Sequence, residues 1–216
     1  MHELPLLLIF WYGILHAFGP DHLTAIADFS IGKSRAKTLF ITFAFAVGHG
    51  LSLFIFAKIL QSVELSEDIL AWGDVISSSV IIAIGLFLLF MAATNRINVG
   101  WHEHEGKRHI HIWFGKEHSH DDAELRTRIA SALTIGALMG IGGVRGMLVT
   151  LSAIAHNEVT PLMVLSFTLG VMLVFMLFGF ALGLVNDNLL QTRKNVRLAF
   201  ATAGAISLVV GSSMLL

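Results

Sequence analysis

The sequence predicts an all-α, polytopic membrane protein with six transmembrane helices in two inverted three-helix repeats. Three observations lead there. Hydrophobic residues make up 55% of the 216 positions and charged ones 13%, with a mean hydropathy of +0.77. Apolar runs of helix length recur along the chain, and its two halves resemble each other. A helix needs about 20 residues to cross a hydrocarbon core about 30 Å thick. Six stretches reach that length, approximately 4–27, 38–60, 75–94, 128–152, 160–184 and 197–216. The first is expected to stay attached, because Met1, His2 and Glu3 supply no basic flank and no small-residue cleavage site follows.

These spans divide the chain into a first repeat over 1–94, a connecting loop over 95–127 and a second repeat over 128–216. Loops 28–37, 95–127 and 185–196, with the adjoining helix ends, carry twelve of the fourteen Lys and Arg. Loops 61–74 and 153–159 carry none, and Lys58 and Arg145 fall inside spans. The positive-inside rule therefore places both termini outside the cytoplasm and the long loop inside, in a cytoplasmic (inner) membrane.

Net charge and cysteine content exclude several functions. A formal charge of -1 offers no basic surplus for nucleic-acid phosphates. The absence of Cys excludes disulfides, thiolate-bound zinc and thiol redox relays. The sequence has no Gly-rich P-loop and hence no ATPase of its own. The chain is read as a non-enzyme with no prosthetic group.

The internal similarity aligns Gly13–Pro20 with Gly136–Gly143, and Phe45-Ala-Val-Gly48 with Phe167-Thr-Leu-Gly170. An odd number of helices per repeat makes the halves antiparallel. Helices interrupted by Gly or Pro in corresponding positions point, in secondary transporters, to a midplane site. Close packing is the competing reading for the fourth helix, since Gly136/Gly140 and Gly142/Gly146 have GxxxG spacing. Arg145, at the position equivalent to His22, needs a partner or a water-filled cavity.

The first span holds His16-Ala-Phe-Gly-Pro20-Asp21-His22, two imidazoles and a carboxylate in an apolar helix. On an unbroken helix Asp21 and His22 would sit about 140° and 240° round from His16. Pro20 has no N–H for the His16 carbonyl and its ring opens that turn, so the three side chains can converge and a backbone carbonyl is freed as a ligand or water contact. His49, in Gly48-His49-Gly50, lies at similar depth on the second span. Imidazoles with one carboxylate and no thiolate suit Ni²⁺, Co²⁺ or Zn²⁺. A proton relay or a structural His–Asp hydrogen bond is the alternative.

These residues resemble the nickel/cobalt transporters (NiCoT and the related NicO group, including short urease-associated nickel permeases). His16 to His22 fits the family's His-x4-Asp-His signature, and Phe45 to His49 is similar to its aromatic run ending in Gly-His. The resemblance covers residues 4–60 well and the rest loosely. It implies that His16, Asp21, His22 and His49 select the metal, with Ni²⁺ or Co²⁺ as the transported ion. Gly50 stands where the family often has Ser or Thr, and the acidic third signature of eight-helix members has no clear counterpart. The resemblance favours import, because the efflux branch commonly has Gly at the position of Asp21.

Six histidines crowd the cytoplasmic loop: His102, His104, His109, His111, His118 and His120. They form His-x-His pairs, and in an extended segment residues two apart face the same way, so each pair can offer two imidazoles to one ion. Such a loop suits a metal buffer, acceptor or sensor; a polar connector is the bland reading. At the outer terminus, the amine, amide and imidazole of His2 could form a square-planar chelate. The expected reading is thus an Ni²⁺/Co²⁺ permease in the lipid bilayer, as a homo-oligomer or with a cytoplasmic metal acceptor. Its alternatives are a NicO-type efflux permease, a transporter of another small solute with Arg145 as anion site, and a membrane-embedded histidine-ligated oxidase. The His-x-His spacing does not supply the histidine boxes of the last.

Overall fold

A computed structural model describes residues 3–62, 67–94, 97–104, 107–114, 122–155 and 160–215. Among them the chain forms seven helices and one hairpin: α1 (Glu3–Ala17), α2 (Pro20–Ser30), α3 (Arg35–Ser62), α4 (Glu67–Ala93), β1 (Ile97–His104), β2 (Lys107–Phe114), α5 (Asp122–Ala155), α6 (Pro161–Leu189) and α7 (Arg193–Ser213). Four stretches are long and apolar enough to cross a membrane, namely Arg35–Phe56, Trp72–Ala93, Pro161–Leu189 and Arg193–Ser213. Pro5–Ala17 and Ile129–Gly143 are shorter apolar helices.

The first apolar run is two helices, not one kinked span. Gly19 takes φ -51° and ψ 128°, the extended conformation that a following proline enforces, and Pro20 opens α2 at a position where no N–H is needed. The terminal turn of α1 tightens to close itself, Phe18 N–H donating to the Leu15 carbonyl at 3.2 Å and Gly19 N–H to the His16 carbonyl at 2.9 Å. The His16 carbonyl expected to be freed by Pro20 is therefore taken by the residue just before it. At its other end α2 closes through Ile31 N–H on the Ala27 carbonyl at 3.1 Å and turns at Gly32, whose φ of 69° favours glycine. Asn186 of α6 fixes this turn, accepting from Gly32 N–H at 3.2 Å and donating to the Ser30 carbonyl at 2.6 Å.

The segment expected as a loop over 95–127 contains structure. Residues 97–104 and 107–114 pair as an antiparallel ladder with His102 opposite His109 and Gly100 opposite His111. Alternation of Val, Trp and Ile with polar residues gives strand periodicity here, so the extended reading fits the backbone of the pairs His102/His104 and His109/His111. α5 then begins at Asp122, ahead of the apolar run itself.

Helix α3 packs along α5 and α6, α1 along α6, and α4 along α5 and α7. Glycines allow backbone-to-backbone approach. A Cβ on Gly13 would strike the Phe167 carbonyl, and one on Gly136 the Phe45 carbonyl. Likewise Gly48 seats on the Leu133 carbonyl, Gly170 on the Phe10 carbonyl, and Gly85 and Gly204 on each other's. Polar ties are few. Ser166 Oγ donates to the Leu6 carbonyl at 2.8 Å, and Arg197 caps the C-terminal end of α4 through the Ala92 carbonyl at 2.9 and 3.1 Å. The core is aromatic and aliphatic, with Phe45, Phe167 and Phe175 fully buried, while Leu7, Trp11, Phe43, Trp72, Leu177 and Val209 stand on the outer surface.

Candidate metal centre

The break between α1 and α2 assembles a cluster of imidazoles. His16 lies in the last turn of α1, His22 in the first turn of α2 and His49 in the middle of α3. One ring nitrogen from each falls within 4.8 Å of the other two, the one such His/Cys/Asp/Glu group found among the described residues. His16 Nε2 and His22 Nε2 are 3.2 Å apart. An ion about 2.1 Å from both would subtend about 100° between them, within the range of tetrahedral and octahedral sites.

Asp21 orients the cluster from behind. Its Oδ2 is 2.6 Å from His22 Nδ1, so the carboxylate stands on the side of the ring away from Nε2, the nitrogen 3.2 Å from His16 Nε2. That is the carboxylate–histidine–metal arrangement, in which the acid tunes a ligand and need not bind the ion itself. Asp21 also sits in the first turn of α2, where its charge offsets the positive helix end that would otherwise repel a cation. Gly19 leaves room for it, since a Cβ there would come within 2.5 Å of Asp21 Oδ1.

His49 is 0% exposed, and neither of its ring nitrogens has a hydrogen-bond partner. A buried imidazole with two idle nitrogens is costly unless something else uses them. Aromatic rings fix its plane: Phe45 stacks on it at 6.3 Å between centroids and Phe175 meets it edge-on at 5.8 Å. Phe167 lies 5.2 Å from the His16 ring. The imidazole centroids themselves are 4.7 Å apart for His22 and His49 and 5.7 Å for His16 and His49.

Of the residues expected to hold metal, His16, His22 and His49 come together with Asp21 behind them, and Pro20 makes the break that permits it. Arg145 lies on α5, with its side chain outside the described residues. His102, His104, His109 and His111 occupy the hairpin strands. His2, His118 and His120 lie outside the described residues.

Sequence reasoning missed part of the site. Gly143 of α5 borders it, and a Cβ there would lie 3.1 Å from His16 Nε2 and 3.7 Å from His49 Cε1. The alignment of Pro20 with Gly143 was the signal that could have found it. The packing reading of the other glycines agrees with their positions, Gly136 against Phe45 and Gly140 against His49 backbone. Compared with known proteins, the chain matches no family model, no curated protein and no solved structure.

Proposed function

We propose that the chain is a permease of the nickel/cobalt transporter type, moving Ni²⁺ or Co²⁺ across the inner membrane through the His16–His22–His49 cluster. The observation that carries this reading is the convergence of three imidazoles, His22 and His49 buried and His16 half-buried, at the junction of a discontinuous helix, with no thiolate and one carboxylate behind them. A broken helix exposes backbone and side chains to a passing ion, whereas a continuous one does not.

The reading includes six crossings in two inverted repeats. It is supported by the glycine contacts, which map onto one another under the sequence alignment of the halves. Gly13 on Phe167 becomes Gly136 on Phe45, and Gly48 on Leu133 becomes Gly170 on Phe10. Exchange of α1 with α5 and of α3 with α6 is the pattern a pseudo-two-fold axis produces. The apolar outer surface then faces lipid, and import runs down the membrane potential at about 2.3 kcal/mol per charge per 100 mV.

Closure of the site favours a second reading, a resident metal in a membrane-embedded histidine-ligated oxidase, because His22 and His49 are 3% and 0% exposed. Flux of radiolabelled Ni²⁺ and Co²⁺ into proteoliposomes of defined orientation separates the two. A permease moves the ion down an imposed gradient and His22→Ala stops it. A resident site retains its ion through chelation and moves none.

A further inference from the structure

Helix α2 carries a second carboxylate that the metal cluster does not use. Asp28 follows Asp21 by seven residues, two turns along the same face and about 10 Å away by helix rise. It is 8% exposed. Its Oδ2 lies 2.7 Å from Ser207 Oγ of α7, and its Oδ1 has no partner. Ser207 Oγ is also 2.9 Å from the Ala203 carbonyl, one helical turn back.

Hydrogen counting decides the state of this pair. A hydroxyl has one hydrogen and cannot satisfy both oxygens. An ionised Asp28 would claim it, leave the Ala203 contact without a hydrogen and set a charge in apolar surroundings. With a proton on Asp28, the carboxyl O–H donates to Ser207 Oγ and Ser207 donates to the Ala203 carbonyl, so both short contacts are used.

Two ion pairs among the described residues lie elsewhere. The helices packed most closely on α2 are α3, α4, α6 and α7. Arg35 of α3 pairs with Asp187 of α6 at 3.2 Å, Arg197 of α7 is on the Ala92 carbonyl, and Asp21 holds His22. Lys33 after α2, Lys37, His49 and Lys58 of α3, Asp74 of α4, and Arg193 and Lys194 of α7 are the other described titratable side chains on or beside these helices, while Asp28 itself has Ser207 on Oδ2 and no hydrogen-bond partner on Oδ1.

We propose that Asp28 is a proton-carrying site, loaded while α2 is docked on α7 through Ser207 and emptied to water when α2 moves. Helix α2 has only 11 residues, with the Gly19-Pro20 break at one end and the Gly32 turn at the other. It bears His22 near its first end and Asp28 near its last, so any displacement of this rigid piece changes both seats. Proton release from Asp28 Oδ2 and passage of the metal past His22 are thereby coupled. The coupling rests on the permease reading; the proton site itself does not.

Infrared spectroscopy of the purified full-length protein in lipid tests the site. The expected spectrum at neutral pH contains the carbonyl stretch of a protonated carboxyl, lost in Asp28→Asn, displaced in Ser207→Ala and retained in Asp21→Asn. A band unchanged in Asp28→Asn, or unmoved in Ser207→Ala should Asp28→Asn not fold, overturns the proposal. In proteoliposomes, Ni²⁺ flux through the native chain should respond to an imposed pH gradient and that of Asp28→Asn should not. Native flux indifferent to the gradient overturns the coupling while leaving the permease reading intact. If native vesicles move no metal, the permease reading falls and the infrared band alone judges the proton site.

Discussion

Asp21 Oδ2 and His22 Nδ1, on consecutive residues, lie 2.6 Å apart, and the opposite nitrogen of His22 lies 3.2 Å from that of His16. One carboxylate thus backs the imidazole at the centre of the cluster. Asp21→Asn keeps the shape and removes the charge. The expected result is a loss of metal affinity of about 10–100-fold, the range found for outer-shell partners of metal-bound histidines. Isothermal titration with Ni²⁺ in detergent checks it, and unchanged affinity would mean that the pair is only structural.

Glycines near the centre separate packing from binding. Gly136→Ala drives a methyl group into the Phe45 carbonyl, where neither backbone can yield, and should destabilise the protein by about 1–3 kcal/mol as overpacking does. Gly143→Ala places its methyl 3.1 Å from His16 Nε2, a side chain that can shift. It should leave thermal unfolding nearly unchanged and weaken metal binding. Paired melting and titration curves test both variants. Equal losses of stability would remove Gly143 from the site.

Much of this was legible in the sequence. Each of the six apolar runs contains a helix, because length and hydropathy are summed over many residues and tolerate local error. The break after His16 was legible too, since Pro20 lacks the N–H its place in a continuous helix requires. The fate of the His16 carbonyl was not, because Gly19 could reach it only through a tightened turn set by its own backbone angles. The hairpin at 97–114 was hidden behind its histidines, which mark a polar segment whatever its backbone does. The partnership of Asp28 with Ser207, 179 positions away, depends on how α2 and α7 meet and has no local sequence signal.

Acidification should weaken metal binding at the cluster. Each ligand must offer a lone pair, so a proton on His16, His22 or His49 competes with the ion and binding releases protons. Affinity should therefore rise with pH until the imidazoles are neutral. Titrations in buffers of different ionisation enthalpy count the protons released, and an affinity that rises on acidification would contradict imidazole ligation.

The hairpin should bind metal independently of the His16–His22–His49 cluster. Its register places 102, 104, 109 and 111 at positions of one face of the ladder, with His102 directly opposite His109. Replacing His102 and His109 together by Ala should lower the number of ions bound per chain while sparing the site at His16, His22 and His49. Equilibrium dialysis gives that stoichiometry, and no change in it would leave the ladder histidines as ordinary strand residues.

X-ray absorption of the Ni²⁺-loaded protein, with the hairpin histidines replaced by Ala, addresses the cluster itself. Convergence of His16, His22 and His49 on one ion should give multiple scattering from imidazole rings at nickel–nitrogen distances, reduced by one ring in His49→Ala. A spectrum without imidazole scattering, or one identical in native and His49→Ala protein, would contradict a metal seat at this place.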